Sequence, residues 1–153
     1  MAAVALLAGA QDRHSLCLFF DLNSMSAAEQ VRARDYAIQF LQKREQGDAI
    51  AILTRTTQLH MVQDFTADHD VLIAALRKNI PIDSGAATGD PDARVRTLQD
   101  AATMLATVAG KKSLIYFSTG VPMDSADARQ VRAAIAAAKL ANVAFYPVDS
   151  RAR

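Results

Sequence analysis

The chain has 153 residues, 51% of them hydrophobic and 22% charged, with a formal net charge of +1. That length suits one compact domain, and the balance is that of a folded globular chain rather than a disordered one. A near-neutral charge, few aromatic residues and no Trp argue against a nucleic-acid surface, and the same charge argues against attraction to anionic membranes.

Residues 1–14 read as an N-terminal extension or a signal-peptide remnant. Ala2–Ala8 is a short apolar run and Ala8-Gly9-Ala10 has the form of a small-residue cleavage site, but no Lys or Arg precedes the run. It is too short to be inserted across a membrane. Residues 15–153 then form the domain. Ser15–Phe20 is a continuous apolar run ending in Asp21, which predicts a central strand buried on both faces. The lone cysteine, Cys17, lies in this run, so it reads as a buried structural thiol with no disulfide partner.

Ser26-Ala27-Ala28-Glu29 spells a capping box and opens a helix that carries Ala33, Ala37, Phe40 and Leu41 inward and stops before Gly47. Ala49–Leu53 is a second buried strand, and the alternating Gln58–Val62 reads as its antiparallel hairpin partner. Thr66 or Asp68 caps the next helix, with Val71, Leu72, Ala75 and Leu76, and Pro81 ends it. Asp83–Asp92 is loop-rich, and Asp90-Pro91 reads as cap and first position of a third helix, with Leu98, Ala101, Ala102 and Leu105 inward, running toward Ala109. Ser113–Phe117 is a further strand, an Ala-rich fourth helix opens at Asp124 or Ser125 and ends near Asn142, and Val143–Val148 is a last strand. Pro147 places that strand at an edge, where a missing N–H matters least.

This alternation predicts an α/β fold with a doubly wound, mostly parallel sheet of about five strands, one antiparallel edge strand and helices on both faces. In such sheets ligands bind beyond the carboxyl ends of the strands, where the strand order reverses. The first strand and Ser113–Phe117 should flank that point. The residues just past the strand ends are Asp21, Asn23, Thr54, Arg55, Ser118, Thr119 and Asp149. Asp21 is either a ligand-bearing carboxylate or a turn former that accepts backbone N–H bonds. His14, His60 and His69 lack metal-ligand spacing and read as surface or strand-edge residues. Arg32, Arg34, Arg129 and Arg132 read as solvated helix faces, and Lys111-Lys112 as a turn.

Four segments in order, LFFDLNSMS, VQDFTADHDVLIAALRK, AATMLATVAGKKSLIYFSTG and ANVAFYPVDSR, resemble the bacterial VWFA-related family of von Willebrand factor type A-like domains. The resemblance implies a Rossmann-like doubly wound fold and a protein-binding role outside the cytoplasm, secreted or extracytoplasmic. It also implies a Mg²⁺ site at the top of the sheet. By position Asp21 matches the Asp of the metal-ion-dependent adhesion motif, and Asn23 its first Ser. Met25 stands where the second Ser belongs, Thr119 where the typical domain has an Asp, and Thr88 is the candidate for the loop Thr. A thioether is a poor Mg²⁺ ligand, so the implied site is degenerate, with weak or absent metal binding. Ser24, Met25, Arg55, Ser118 and Asp149 complete the implied partner face.

The chain stops soon after Val143–Val148, which reads as C-terminal truncation or as a domain completed by an edge-strand dimer. The reading is therefore a non-enzymatic protein-binding module of unidentified partner, with no nucleic acid and no membrane insertion. The alternative is a haloacid-dehalogenase-like phosphatase that uses Asp21 as nucleophile, although Asn23 cannot supply the general acid of that chemistry. Nucleotide binding is excluded on motif, since no Gly-rich phosphate loop follows the first strand.

Overall fold

The computed structural model of the chain describes residues 14–44, 47–56, 58–82, 91–108, 110–119 and 142–149, with Arg129, Arg132, Ala133, Ile135, Ala136 and Lys139, all helical, between the last two segments. At 91–95, 97 and 149 the description is of backbone alone. The elements are β1 (Ser15–Asp21), a one-turn 3₁₀ helix (Leu22–Ser24), α1 (Ala27–Lys43), β2 (Ala49–Arg55), β3 (Leu59–Thr66), α2 (His69–Asn79), α3 (Pro91–Ala106), β4 (Lys112–Ser118) and β5 (Val143–Asp149). The five strands lie in the order β3-β2-β1-β4-β5. β2, β1, β4 and β5 pair in parallel, and β3 runs antiparallel to β2 at one edge. This is the doubly wound arrangement, with the switch between β1 and β4.

Burial on both faces explains why β1 is apolar without alternation: all seven of its residues are buried. Leu16, Leu18 and Phe20 point to one face, where they join Ile50, Ile52 and Phe117 under α1 and α2 (Ala33, Ala37, Leu41, Leu72, Leu76). Cys17 and Phe19 point to the other, with Leu53, Leu114 and Tyr116 under α3 (Leu98, Ala101, Leu105). Phe20 stacks on Phe117 at 4.5 Å between centroids on the first face. Phe19 meets Tyr116 edge-on at 5.3 Å on the second. Each such side chain contributes about 1.5–3 kcal/mol by leaving water, so the ring pairs hold β1 and β4 together from both sides.

Several details depart from the sequence reading. β3 extends to Thr66, four residues beyond the predicted Val62, because register shifts around Ile52 insert extra residues into this edge strand. Asp68, not Thr66, caps α2, accepting from the amides of Asp70 and Val71. Val71 faces out at 40% exposure, since Leu72 and Leu76 define the inward stripe. α3 ends at Ala106 rather than near Ala109. Lys112 is in β4 and buried, its ammonium donating to the Val108 carbonyl at 2.8 Å. His69 is buried rather than superficial, and its Nε2 lacks a hydrogen-bond partner among the described residues. Arg34 is half-buried and donates to the Ile80 carbonyl. The N-terminal segment, the Asp83–Asp90 stretch with its Asp90 cap, the start of the fourth helix and the basic tail lie outside the described residues.

Candidate functional site at the carboxyl end of the sheet

Asp21 is the last residue of β1, at the strand end predicted to carry a ligand. Strand alternation turns its side chain to the α3 side, the side of Cys17 and Phe19. Its register partner on β2 is Arg55. The guanidinium Nε of Arg55 donates to Oδ1 of Asp21 at 2.7 Å, and the hydroxyl of Tyr116, on β4, donates to Oδ2. Asp21 is fully buried, Arg55 3% exposed and Tyr116 2% exposed. Taking each ion out of water costs several kcal/mol, which only close pairing and saturated hydrogen bonds offset. Three adjacent strands thus each supply one member of a buried ion-pair network.

A second layer fixes the turn above this network. The Ser24 hydroxyl donates to the Asp21 carbonyl at 3.0 Å and accepts from the Thr119 amide at 3.4 Å, joining the ends of β1 and β4. Glu29 closes the capping box with the Ser26 amide at 3.0 Å, while the Ser26 hydroxyl accepts from the Glu29 amide. The other carboxylate oxygen of Glu29 accepts from the Thr119 hydroxyl at 3.3 Å. Gln30, fully buried, donates to the carbonyls of Leu22 and Met25 and accepts from the Ile82 amide at 2.9 Å. One amide side chain therefore satisfies the β1–α1 turn and the chain leaving α2 together, as buried polar backbone requires.

The predicted site residues fare unequally. Asp21, Ser24, Arg55, Ser118 and Thr119 do converge, and Asn23 lies half-buried in the turn beside them. However, Ser24, Met25, Arg55 and Ser118, expected to face a partner, are all buried. Met25 packs into the core beneath α1 and α2, which explains an apolar side chain where the resemblance implies a hydroxyl. Arg55 turns inward to Asp21 instead of outward. Asp149 pairs with Ser118 through register, but its side chain lies outside the described residues, as does Thr88. Tyr116 and Gln30 were missed. Tyr116 was hidden in an apolar run, but a hydroxyl on the strand beside Asp21 was the available signal. Gln30 is the single polar residue on the stripe Gln30, Ala33, Ala37, Leu41.

A hard divalent cation needs several oxygen ligands. Among the described residues, Asp21, Ser24 and Thr119 already bond to protein groups, and a guanidinium beside Asp21 repels a second cation. No cluster of three or more His, Cys, Asp or Glu with metal-holding geometry occurs among the described residues. The described members of this donor set do not fit a divalent cation. A nucleophilic role for Asp21 meets the same obstacle, since the carboxylate is buried and bonded on both oxygens. Cys17 is equally withdrawn: burial pushes its thiol well above the ordinary range, which suits an inert core residue.

Neither a protein-family model nor a curated protein matches the chain. Among solved structures it is similar to an aerotolerance-related membrane protein from Bacteroides fragilis, with a TM-score of 0.62 and 14% identity over 88% of this chain and 66% of that one. It is also similar to the conserved hypothetical protein BatB from Bacteroides thetaiotaomicron, with a TM-score of 0.52 and 12% identity over 90% of each chain. Proximal thread matrix protein 1 from the mussel byssus matches with a TM-score of 0.60 and 10% identity, over 88% of this chain and 35% of that one. The chain thus spans just under two thirds of the Bacteroides fragilis chain and about a third of the mussel chain. At these identities the likeness is one of fold.

Proposed function

We propose that this chain, whose fold is that of a von Willebrand factor A-like domain, is a non-enzymatic protein-binding module that engages its partner without a resident metal. The observation that carries the reading is the pairing of Asp21 with Arg55 and Tyr116. The guanidinium supplies, from within the chain, the positive charge that a carboxylate at this strand end requires. The end of the sheet is then a pre-built surface rather than an open coordination site. The surface offered to a partner is the turn and its rim, with exposed Ser26, Ala27, Ala28 and Gln58. Small and polar groups on a rigid turn suit a flat protein surface better than a small substrate.

A location outside the cytoplasm is part of the proposal. It is supported by the family resemblance and by the similar Bacteroides fragilis protein being a membrane protein. No helix among the described residues is long and apolar enough to cross a membrane.

The test is retention of a partner from envelope extracts on the immobilised full chain, with and without EDTA. The expected result is one retained protein, unaffected by EDTA and lost with Ala28→Arg on the exposed turn. Retention that EDTA abolishes would overturn the metal-independent reading, and turnover of a phosphate ester lost in Asp21→Asn would overturn the non-enzymatic one.

A further inference from the structure

The two edges of the sheet differ in how they meet an incoming strand. β3, at one edge, shifts register against β2 between Ile50 and Ile52 and again between Ile52 and Leu53, and it carries exposed His60 and Asp64. Bulges and a charged side chain break up the flat row of amides and carbonyls that a further strand needs. β5, last in the sheet order at the other edge, pairs with β4 without a shift from Val143 to Asp149. Residues 143–148 are Val, Ala, Phe, Tyr, Pro and Val, with no charge among them, and Tyr146 is 54% exposed. A regular, uncharged, apolar edge of this kind is a template for strand addition. Among the described residues no strand pairs with it.

The phase of the ladder fixes which groups face outward. The Lys112 amide donates to the Asn142 carbonyl at 3.3 Å, and Lys112 is the register partner of Val143. In a parallel pair that phase turns the amides and carbonyls of Ala144, Tyr146 and Val148 toward β4, and the backbone groups of Val143, Phe145 and Pro147 away from it. Pro147, which is exposed, therefore stands at an outward position, where its ring replaces the N–H that an incoming strand would bond. At 146 or 148 the same ring would break the ladder to β4. A second copy of the chain offers the same apolar edge. A two-fold axis through Phe145 sets Phe145 against its own copy and Val143 against Pro147 at both ends, so one proline removes a bond at each end of such a pair. We infer that Pro147 is the residue that keeps β5 from pairing edge to edge with a second copy of this chain. It closes the outer row while leaving the bonds to β4 intact. The edge is separate from the turn at Asp21, and the inference does not rest on the reading given for that turn.

The experiment compares the full chain with Pro147→Val and Pro147→Ala, both of which return the N–H, by sedimentation over a range of concentrations and by hydrogen exchange at the Phe145 amide. Both variants should dimerise at least about tenfold more tightly than the parent, or 1.4 kcal/mol. In the parent the outward-facing Phe145 amide should exchange faster than those of Ala144 and Tyr146 at every concentration. In the variants it should become protected as the dimer forms. Cooperative thermal unfolding at low concentration checks that the variants fold, as expected when the ladder to β4 is untouched. Folded variants that sediment like the parent, or that associate with the Phe145 amide still unprotected, would overturn the inference. Association of Pro147→Val alone would do so too, because the added apolar side chain would then be the cause. So would a dimer of the parent in which the Phe145 amide is protected, or a Phe145 amide as slow in the monomeric parent as its two neighbours. None of these outcomes touches EDTA-resistant retention at the β1–α1 turn.

Discussion

Removing one member of a buried ion pair leaves the other as an uncompensated charge. Asp21→Ala or Arg55→Ala should each therefore destabilise the fold by about 3–5 kcal/mol, measured by urea unfolding. Replacing both, as Asp21→Leu with Arg55→Met, should recover most of that loss, because the pair's net contribution is small once its desolvation is counted. Tyr116→Phe removes one hydrogen bond to a charged group and should cost about 1.5–3 kcal/mol. If the single Asp21 and Arg55 variants add without coupling, the pair is not the unit described here. Asp21 was legible in the sequence as the one carboxylate directly after a fully apolar run at the predicted centre of the sheet. Its partner was not, because Arg55 stands just past another strand, and only the parallel register places the two side by side. The same blindness made Met25 and Arg55 read as surface residues: position past a strand end fixes location, not the direction of the side chain.

At the scale of elements, the β1–α1 turn is the part of the site that sequence rules read best. The capping box at Ser26 and Glu29 formed as spelled, because both its hydrogen bonds are local. Ser26→Ala should cost about 1 kcal/mol. Gln30→Leu should cost more, about 1–3 kcal/mol for each backbone group of Leu22, Met25 or Ile82 left without its partner. Hydrogen exchange should show faster opening at Ile82, while β1 stays protected. A Gln30→Leu variant as stable as the parent would show that the amide does not clamp the turn. The role of Gln30 depends on residues 8 positions before it and 52 after it, a span no local pattern reports. β3 was read as a strand but cut short, since bulges in an edge strand break the alternation used to find its end.

At the scale of the whole molecule, the layered sheet was legible because its two cores follow from strand type alone: continuous apolar runs for β1 and β2, Pro147 for an edge. Cys17 offers a probe of that double-sided core. Burial raises its pKa in the fold, so the folded state holds a proton that the unfolded chain releases near about pH 8.5. The associated stability is full below that pH and is lost as pH rises, by up to about 1.4 kcal/mol per pH unit. The urea midpoint of the parent should fall more steeply above about pH 9 than that of Cys17→Ala, and the thiol should resist alkylation until the chain unfolds. Equal slopes would mean that the thiol is reached by water in the folded state.

The most direct test of the central claim, that Asp21 is held by Arg55 and Tyr116 rather than by a metal, is thermal unfolding of the full chain with Mg²⁺ raised to about 10 mM. An ion bound to the folded state at a hundredfold excess over its Kd adds about 2.7 kcal/mol, which raises Tm by several degrees at this chain length. The account predicts a Tm that does not move on titration; a saturable rise of several degrees, lost in Asp21→Asn, would contradict it.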